Sequence, residues 1–248
     1  MLDTLRSLPG ILRSLRIYYG DRARAAAMQR LYSEFVHKGD LVFDIGAHVG
    51  DRVRAFRRLG ARVIAVEPQP ALAKTLRLFY GRDPMVVVEQ VAAGRQSGTV
   101  DLSINVQNPT VSTASAEFIA AAADAPGWEG QRWSDRIAAR MVTLDELMTA
   151  HGMPAFIKID VEGFEAEALA GLSRPLAALS FEFTLIQRDV GRACIGRCRE
   201  LGYTQFNAAL GESQRFEHAD WIDADAIERW LDALPIKANS GDIYARLA

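Results

Sequence analysis

The stretch that decides the fold is residues 41–51, LVFDIGAHVGD. Its first half is apolar and typical of a buried strand, and the glycines at Gly46 and Gly50 predict a tight turn behind it. The run that follows, as far as Leu59, has the pattern of a helix. A buried strand that ends in a glycine-rich turn and opens a helix is typical of a nucleotide-binding α/β domain, because the turn offers backbone N–H groups to a ligand.

Two acidic residues indicate which ligand this turn binds. Asp44 precedes the first glycine in the pattern D-x-G-x-x-x-G, whereas a dinucleotide site reads G-x-G-x-x-G and holds a pyrophosphate. A carboxylate at this position repels a pyrophosphate and suits ammonium or hydroxyl donors. The second predicted strand, residues 61–66, ends in Glu67, where an acid holds a ribose diol. A ribose with a cationic amino-acid portion describes S-adenosylmethionine, and we predict this cofactor.

Composition limits the class of protein. The chain has 248 residues, 49% of them hydrophobic, which is enough for one sizeable core. A net charge of −2 gives no case for nucleic acid as a partner. The two cysteines lack the further ligands of a zinc site and do not indicate a disulfide-built secreted protein. No apolar run approaches the ~20 residues of a membrane span and no signal peptide is evident, so we expect a cytoplasmic location.

The segment 1–38 precedes the predicted nucleotide-binding domain, which we assign to residues 39–248. Basic residues outnumber acidic ones in this segment, and a break in helical pattern is predicted near Pro9 and Gly10. Helical spacing is shown by Leu5, Leu8, Leu12, Leu15 and Tyr19. Helices packed on the edge of the domain are the simplest interpretation. A lid over the active site and a weak contact with a membrane surface are the alternatives.

Strands alternate with helices along the rest of the chain, which predicts a parallel, doubly wound sheet of seven strands. The third predicted strand, residues 85–91, ends at the same edge of the sheet as the two acids. Gln90 and Ala92 are therefore candidates to contact an adenine. Regular pattern fades over residues 107–140, apart from an Ala-rich helix at 115–123, and we interpret this long insertion as cover over the substrate.

A second informative stretch is residues 155–165, AFIKIDVEGFE. An apolar strand carries Lys158 in its body and ends in Asp160, and charged residues are rarely buried unless they are paired. The later strand at 178–185 has Glu182 between aromatic residues. Neighbouring parallel strands would bring these three charged side chains into one cluster. A buried ion-pair network without a role in function is the alternative interpretation.

The chain resembles the FkbM family of S-adenosylmethionine-dependent methyltransferases over about residues 41–182. The resemblance rests on DIGAHVG at 44–50, Glu67-Pro68, Val91-Ala92, Thr143-Leu144-Asp145 and above all on KIDVEGFE at 158–165. It implies the class I methyltransferase fold, a Rossmann-like sheet of six parallel strands with an antiparallel seventh. It also implies O-methylation of a hydroxyl on a small molecule or a sugar. Gln90 departs from the Asn that is frequent in the family, and residues 107–140 do not align with it.

Site residues follow from these motifs. The predicted cofactor-binding residues are Asp44, Gly46, Ala47, His48, Gly50, Glu67, Gln90 and Ala92. Asp160 is the leading candidate for the base or oxygen-positioning group, with Glu182 and Lys158 as partners, because a neighbouring cation keeps an acid ionised. The expected reaction is an in-line displacement in which alignment supplies most of the acceleration. A Mg²⁺ ion on Asp160 and nearby carboxylates is a less favoured alternative, and no metal ligands are predicted.

Other functions are compatible with the same pattern. One is a nucleotide-dependent oxidoreductase of similar topology, and another is a non-catalytic binding protein on a methyltransferase scaffold, since a fold does not determine a function. Within the methyltransferases, nitrogen or a carboxylate would be an acceptor in place of a hydroxyl. The expected partner is a small-molecule or glycan acceptor, and the sequence indicates no oligomeric state.

Overall fold

The computed structural model describes residues 2–248, with side chains from residue 7 onward, so the predicted role of Leu5 lies outside the described side chains. The helices are α1 (Leu2–Gly20), α2 (Arg22–Tyr32), α3 (Asp51–Arg58), α4 (Pro70–Tyr80), α5 (Ala116–Ala123), α6 (Leu144–His151), α7 (Glu165–Ala170), α8 (Arg188–Glu200) and α9 (Ala224–Ala233). The strands are β1 (Leu41–Ile45), β2 (Arg62–Val66), β3 (Val86–Glu89), β4 (Ala92–Ala93), β5 (Gly98–Ile104), β6 (Asp135–Val142), β7 (Phe156–Ile159), β8 (Ala178–Thr184), β9 (Gln205–Leu210) and β10 (Ser240–Arg246).

The main sheet has seven strands in the order β3-β2-β1-β7-β8-β10-β9. The pairs β1–β2, β2–β3, β1–β7 and β7–β8 are parallel, and β10 is antiparallel to both of its neighbours. This confirms the predicted fold class, a doubly wound sheet with one antiparallel strand. The order reverses between β1 and β7, and in such sheets the carboxyl ends of the strands at the reversal border the ligand crevice.

The sheet is covered by helices on both faces, which explains why its central strands are nearly continuous apolar runs. Val42 and Phe156 pack with side chains of α2, α3 and α4 on one face. Phe43 and Ile45 pack on the other face with side chains of α6, α7, α8 and α9. Because β1 is buried throughout, its position in the sheet is fixed by packing, and so is the turn that leaves it.

The N-terminal helices pack on the edge of this core. Ile11 of α1 contacts a small apolar cluster with Val49 and Leu72, and α2 contributes Met28 to the core face of α3. The predicted break near Pro9 is wrong, because α1 continues through it. Gly10 permits a close approach there, since a Cβ at this position would lie 2.7 Å from a ring carbon of Pro109. The boundary at residue 38 stays a prediction.

The insertion is more regular than the sequence predicted. Residues 109–111 form a 3-10 turn, α5 begins after the capping residue Ser115, and β6 occupies the end of the segment. β6 pairs with β5 and β4 in a second, three-stranded sheet. Ala92 therefore belongs to this small sheet, and the third strand of the main sheet ends at Glu89 rather than at residue 91. None of the helices in residues 2–248 has the length and apolarity to span a bilayer.

Candidate functional site

A cleft opens at the carboxyl ends of the central strands. One wall consists of residues that follow β1, β2 and the end of β3, and the other consists of residues that follow β7 and belong to β8 and β10. The cleft thus lies at the reversal of the strand order, where a doubly wound sheet binds its ligand. Tyr18 of α1 and Thr110 of the insertion also line it.

The glycine turn after β1 forms the floor between the two walls. The N–H groups of Gly46 and Ala47 both donate to the carbonyl of Val66, at 2.9 and 3.0 Å, so the turn is fastened to the end of β2. Gly46 has φ +85°, and a Cβ there would lie 1.8 Å from the carbonyl oxygen of Asp160. Only glycine fits this position, because both the backbone angle and the contact exclude a side chain.

Gly50 plays a different part from Gly46. It has φ +84° and caps α3, and a Cβ there would meet Leu76 and Tyr80 at 2.7 and 2.8 Å. These contacts lie between helices, and Gly50 does not line the cleft. Gly50 therefore sets where α3 begins and how closely α4 approaches it.

Glu67 joins the second strand to the glycine turn. Its side chain is buried, with Oε2 accepting from the N–H of His48 at 2.9 Å and Oε1 accepting from the N–H of Gln69 at 2.8 Å. Burial raises the pKa of Glu67 to about 7, although these two hydrogen bonds act in the opposite direction. Each carboxylate oxygen has a second lone pair, so Glu67 keeps acceptor capacity at the cleft wall.

His48 lies in the turn with φ +48° and lines the cleft. Its Nε2 is 3.4 Å from the hydroxyl of Thr110, and its ring meets the ring of Tyr18 edge-on at 5.5 Å. Burial lowers the pKa of His48 to about 4. The imidazole is therefore neutral at physiological pH and can donate or accept one hydrogen bond with each nitrogen according to tautomer.

Asp44 is fully buried at the end of β1, and neither of its carboxylate oxygens has a hydrogen-bond partner among the described residues. Burial raises the pKa of Asp44 to about 7. Asp44 is not itself in the cleft wall, but its neighbour Ile45 is. Buried polar groups are nearly always hydrogen-bonded, so this orphaned carboxylate fits a ligand that brings a cation or a donor, as S-adenosylmethionine does.

The two residues predicted to contact an adenine are separated by the fold. Ala92 is buried and lines the cleft. Gln90 is exposed, its side-chain oxygen accepts from Arg77 at 2.9 Å, and it does not line the cleft. The reason is that the chain leaves the main sheet between them and joins the small sheet at Ala92.

The predicted charge cluster forms on the opposite wall. Oδ2 of Asp160 is 3.2 Å from Nζ of Lys158 and 3.4 Å from Nη2 of Arg52. Lys158 is fully buried, does not line the cleft, and also contacts Oδ1 of Asp242 at 2.7 Å. Burial alone would lower the pKa of Lys158, but its two carboxylate partners raise it above its usual range. Lys158 is therefore a permanent buried cation beneath Asp160.

The pKa values of Asp160 and of the nearby acids Glu162 and Glu182 shift in opposite directions. Burial alone would raise the pKa of Asp160, but Lys158 and Arg52, with a hydrogen bond from Glu182, lower it to about 2. Burial and the charge of Asp160 raise the pKa values of Glu182 and Glu162 well above their usual range. The pKa of Asp160 is thus lowered, whereas the pKa values of the two neighbouring glutamates are raised.

The same acids have the chemistry of a divalent-cation site. One oxygen each from Asp160, Glu162 and Glu182 lie within 4.8 Å of one another. Carboxylate oxygens are the ligands that Mg²⁺ prefers. Such an ion would replace the protons of Glu162 and Glu182, and it would share Asp160 with the two cations that already contact it.

Several residues in or next to the cleft were not predicted from the sequence. Arg52 lies two residues after Gly50, and Asp242 is the only acid in the strand β10, so a sequence pattern pointed to both positions. Glu162 lies within the octad at 158–165 but was not selected. No sequence pattern indicated that Tyr18 lines the cleft, because its position there depends on how α1 packs.

Ion pairs connect the N-terminal helices to this cluster. Nη2 of Arg24, in α2, lies 2.8 Å from Oδ2 of Asp51 and 2.8 Å from Oε2 of Glu212. Arg52 contacts the same two acids, at 3.6 and 3.8 Å, besides Asp160. Charges therefore alternate from α2 across the mouth of the cleft to Asp160.

The strand order, the glycine turn and the cleft at the reversal point define a class I methyltransferase fold. A model of the family described as “Methyltransferase FkbM domain” matches residues 44–234. The chain therefore belongs to the FkbM family of S-adenosylmethionine-dependent methyltransferases. The predicted family is confirmed, and membership sets the chain apart from the nucleotide-dependent oxidoreductases of similar topology. A search of curated proteins returns no match.

Solved structures with a similar arrangement are distant in sequence. A TehB-like S-adenosylmethionine-dependent methyltransferase from Corynebacterium glutamicum is 13% identical, over 96% of this chain and 94% of that chain, with a TM-score of 0.48. Precorrin-6y C5,15-methyltransferase from Geobacter metallireducens is 14% identical, over 91% and 87%, with a TM-score of 0.44. Fibrillarin from Aeropyrum pernix, in complex with S-adenosyl-L-methionine, is 11% identical, over 90% and 74%, with a TM-score of 0.47.

Proposed function

We propose that this protein transfers a methyl group from S-adenosylmethionine to a hydroxyl oxygen of a small molecule or a sugar. The observation that carries the proposal is the ionised carboxylate of Asp160, which lies in the same cleft as the glycine turn and in backbone contact with it. A hydroxyl acceptor needs a group that orients its proton away from the attacking lone pair. Asp160 is suited to this because it can only accept.

The cofactor half of the site is assigned to the residues after β1 and β2. Gly46, Ala47, His48 and Ala92 line it with little side-chain bulk apart from the imidazole. Glu67 would accept hydrogen bonds from the ribose, and Asp44 would balance a cationic group. When bound, S-adenosylmethionine supplies an electrophilic methyl group. Gly50 shapes the start of α3, and Gln90 remains at the exposed rim with Arg77.

Asp160 would act as an orienting acceptor and a late proton acceptor. Its pKa of about 2 makes it a weak base toward a free alcohol. An alcohol oxygen becomes strongly acidic as it gains a bond to carbon, so a carboxylate of low pKa suffices to take the proton at that stage. Lys158 and Arg52, at 3.2 and 3.4 Å from Oδ2 of Asp160, favour its ionised form.

The charge of the acceptor wall favours hydroxyls over carboxylates as acceptors. Besides Asp160, this wall carries Glu162, Glu182, Glu212 and Asp242. A carboxylate acceptor would meet like charges or would have to displace protonated acids, which disfavours it. An amine meets no such repulsion, so nitrogen is the acceptor that an assay has to distinguish from oxygen.

The Asp160→Asn variant tests the proposal. We expect methyl transfer to a panel of polyols and sugars to fall at least about a hundredfold, the range seen for positioned proton acceptors, while the calorimetric affinity for S-adenosylmethionine changes less than about threefold. The matched control is Asp101→Asn, an exposed acid on β5 outside the cleft. Retained turnover in Asp160→Asn would refute the role of this residue.

The acceptor panel separates the remaining functions. It contains amines and carboxylates beside hydroxyls, and each assay is run with Mg²⁺ and with EDTA. Transfer to amines alone would contradict O-methylation. Loss in EDTA and recovery with Mg²⁺ would give Asp160, Glu162 and Glu182 the role of metal ligands. Tight cofactor binding without transfer to any acceptor would support a non-catalytic scaffold.

A further inference from the structure

The helices α1 and α4 are neighbours on the surface of the protein. The two helices pack side by side, with the hydroxyls of Tyr19 and Tyr80 2.8 Å apart and the rings of Tyr19 and Phe79 in contact at 6.2 Å. We call their outward surface the basic–apolar face. It consists of the exposed residues Leu8, Leu12, Arg13, Arg16, Ile17, Lys74, Arg77, Leu78, Phe79 and Arg82.

Large apolar side chains are concentrated on this face. Leu78 is 80% exposed and Leu12 is 57% exposed, and Leu8, Ile17 and Phe79 are each about half exposed. These five make up more than half of the large exposed apolar side chains in the described part of the chain. Single exposed apolar residues are normal on a protein, but a group on two adjacent helices marks an interaction site.

The charge of the face has one sign. Residues 7–20 and 70–82 contain Arg13, Arg16, Lys74, Arg77 and Arg82, and no acidic residue. The acids that follow the two helices are engaged elsewhere. Asp21 accepts from the backbone N–H of Arg24 at 2.9 Å and caps α2, and Asp83 pairs with Arg57 at 2.7 Å. The exposed apolar residues of the face therefore share these two segments with five basic residues and no acidic one.

We propose that the basic–apolar face docks on an anionic membrane surface. Exposed leucines and phenylalanine with Lys and Arg between them are the composition of helices that lie in a lipid interface. Basic residues near such a surface are attracted by its negative potential. A second copy of the chain is a poorer partner, because a two-fold contact would oppose cations to cations. A nucleic acid would engage the cations but leave the aliphatic side chains in water.

Docking in this orientation would hold the cleft near the lipid. Tyr18 lies on the inner side of α1 and lines the cleft, while Leu12 and Arg16 lie on the outer side of the same helix. A helix with its side chains is about 10 Å across, so one helix separates the cleft from the docking surface. Membrane docking through this face is independent of which acceptor the cleft takes.

The test is co-sedimentation of the 248-residue protein with lipid vesicles. One set of vesicles is phosphatidylcholine alone, and the other contains about 30% phosphatidylglycerol, an anionic lipid. We expect sedimentation with the anionic vesicles only, weakened by added salt. Arg13→Glu with Arg16→Glu should weaken partitioning more than tenfold, since each basic residue contributes about fivefold. Leu12→Ser with Leu78→Ser should weaken it as well, because apolar burial is lost.

Matched controls carry the same changes elsewhere on the surface. Arg132→Glu with Arg174→Glu makes the same charge change at exposed residues outside the face, and Met153→Ser with Ile236→Ser removes exposed apolar side chains elsewhere. Both controls should bind vesicles like the unaltered protein, and all variants should keep their affinity for S-adenosylmethionine. Equal losses in face and control variants would overturn the proposal, as would no preference for anionic vesicles. The proposal would also be overturned if ultracentrifugation showed a dimer and if the double variant Leu12→Ser with Leu78→Ser abolished that dimer.

Discussion

Glu67 is a buried acid whose charge at neutral pH depends on what it binds. Burial raises its pKa to about 7, and hydroxyl donors from a ribose would favour its ionised form. Below that pKa the protein must release a proton to bind the cofactor. We therefore expect the affinity for S-adenosylmethionine to fall as pH decreases below about 7, by up to about tenfold per pH unit for each proton released. Calorimetry between pH 6 and 8, about one unit on either side of this pKa, measures the change in affinity.

Variants assign this pH dependence to residues. Asp44 has its pKa raised to about 7 in the same way. Glu67→Gln should therefore bind more weakly and keep only the part of the pH dependence that comes from Asp44. The double variant with Asp44→Asn should bind with little change over this range. An affinity that is constant with pH in the unaltered protein would contradict the assignment of Glu67.

Arg52 is one of the two cations that keep Asp160 ionised. Replacing it by Gln leaves Lys158 alone in that role and raises the pKa of Asp160. The acid limb of the pH–rate profile should then move upward by roughly one pH unit or more, because Asp160 must be ionised to accept a hydrogen bond. The matched control is Arg24→Gln, which loses its pairs with Asp51 and Glu212 but does not touch Asp160. Identical shifts in both variants would refute a specific role for Arg52.

Among single residues, the site candidates that could be predicted best are charged side chains that interrupt an apolar strand. Lys158 and Asp160 stood out because charged side chains in a buried strand need partners, and the structure brings them into contact. The same reasoning applied to Asp242 would have found the third member of the cluster. Gln90 was predicted to contact the adenine because the third strand was expected to run to residue 91, and an apolar run does not tell where the chain leaves the sheet.

The turn after β1 is the element on which the two halves of the cleft meet. Gly46→Ala should destabilise the fold, because it adds a clash with the carbonyl of Asp160 to the strain of a positive φ. The expected loss in free energy of unfolding is about 3 kcal/mol or more. Gly39 has φ +93° but nothing within 4 Å of an added Cβ, so Gly39→Ala should lose only about 1 kcal/mol. Urea unfolding compares the two, and equal losses would show that the contact with Asp160 costs nothing.

Elements buried on both sides were predicted best. β1, β2, β7 and β8 are apolar runs with nearly every residue in the core, so their bounds could be predicted to within a residue or two. β6 was missed because its outer face is exposed and its partner β5 is separated from it by the whole insertion. The predicted break in α1 was wrong, because α1 continues through Pro9 although this residue cannot donate a backbone hydrogen bond.

At the scale of the whole molecule, the sequence predicted the sheet and the edge at which its ligand lies. Residues at the carboxyl ends of strands, such as Asp44, Glu67 and Asp160, could be assigned to one edge by topology alone. The positions of three other residues could not be assigned from topology, because tertiary packing brings them to the cleft from distant parts of the chain. These residues are Tyr18, Arg24 and Glu212. The N-terminal helices thus add a cleft residue and an ion-pair connection that no local pattern indicated.

The place of β10 in the sheet has a consequence for biosynthesis. β10 follows every other strand of the sheet in sequence, yet it lies between β8 and β9 and brings Asp242 to Lys158. On the ribosome, the first half of the sheet can form while later residues are still being made. The acceptor wall has to wait for β10, and until then the buried ammonium of Lys158 lacks its nearest counter-ion. In a nascent chain the glycine turn after β1 could therefore form well before the opposite wall of the cleft is complete.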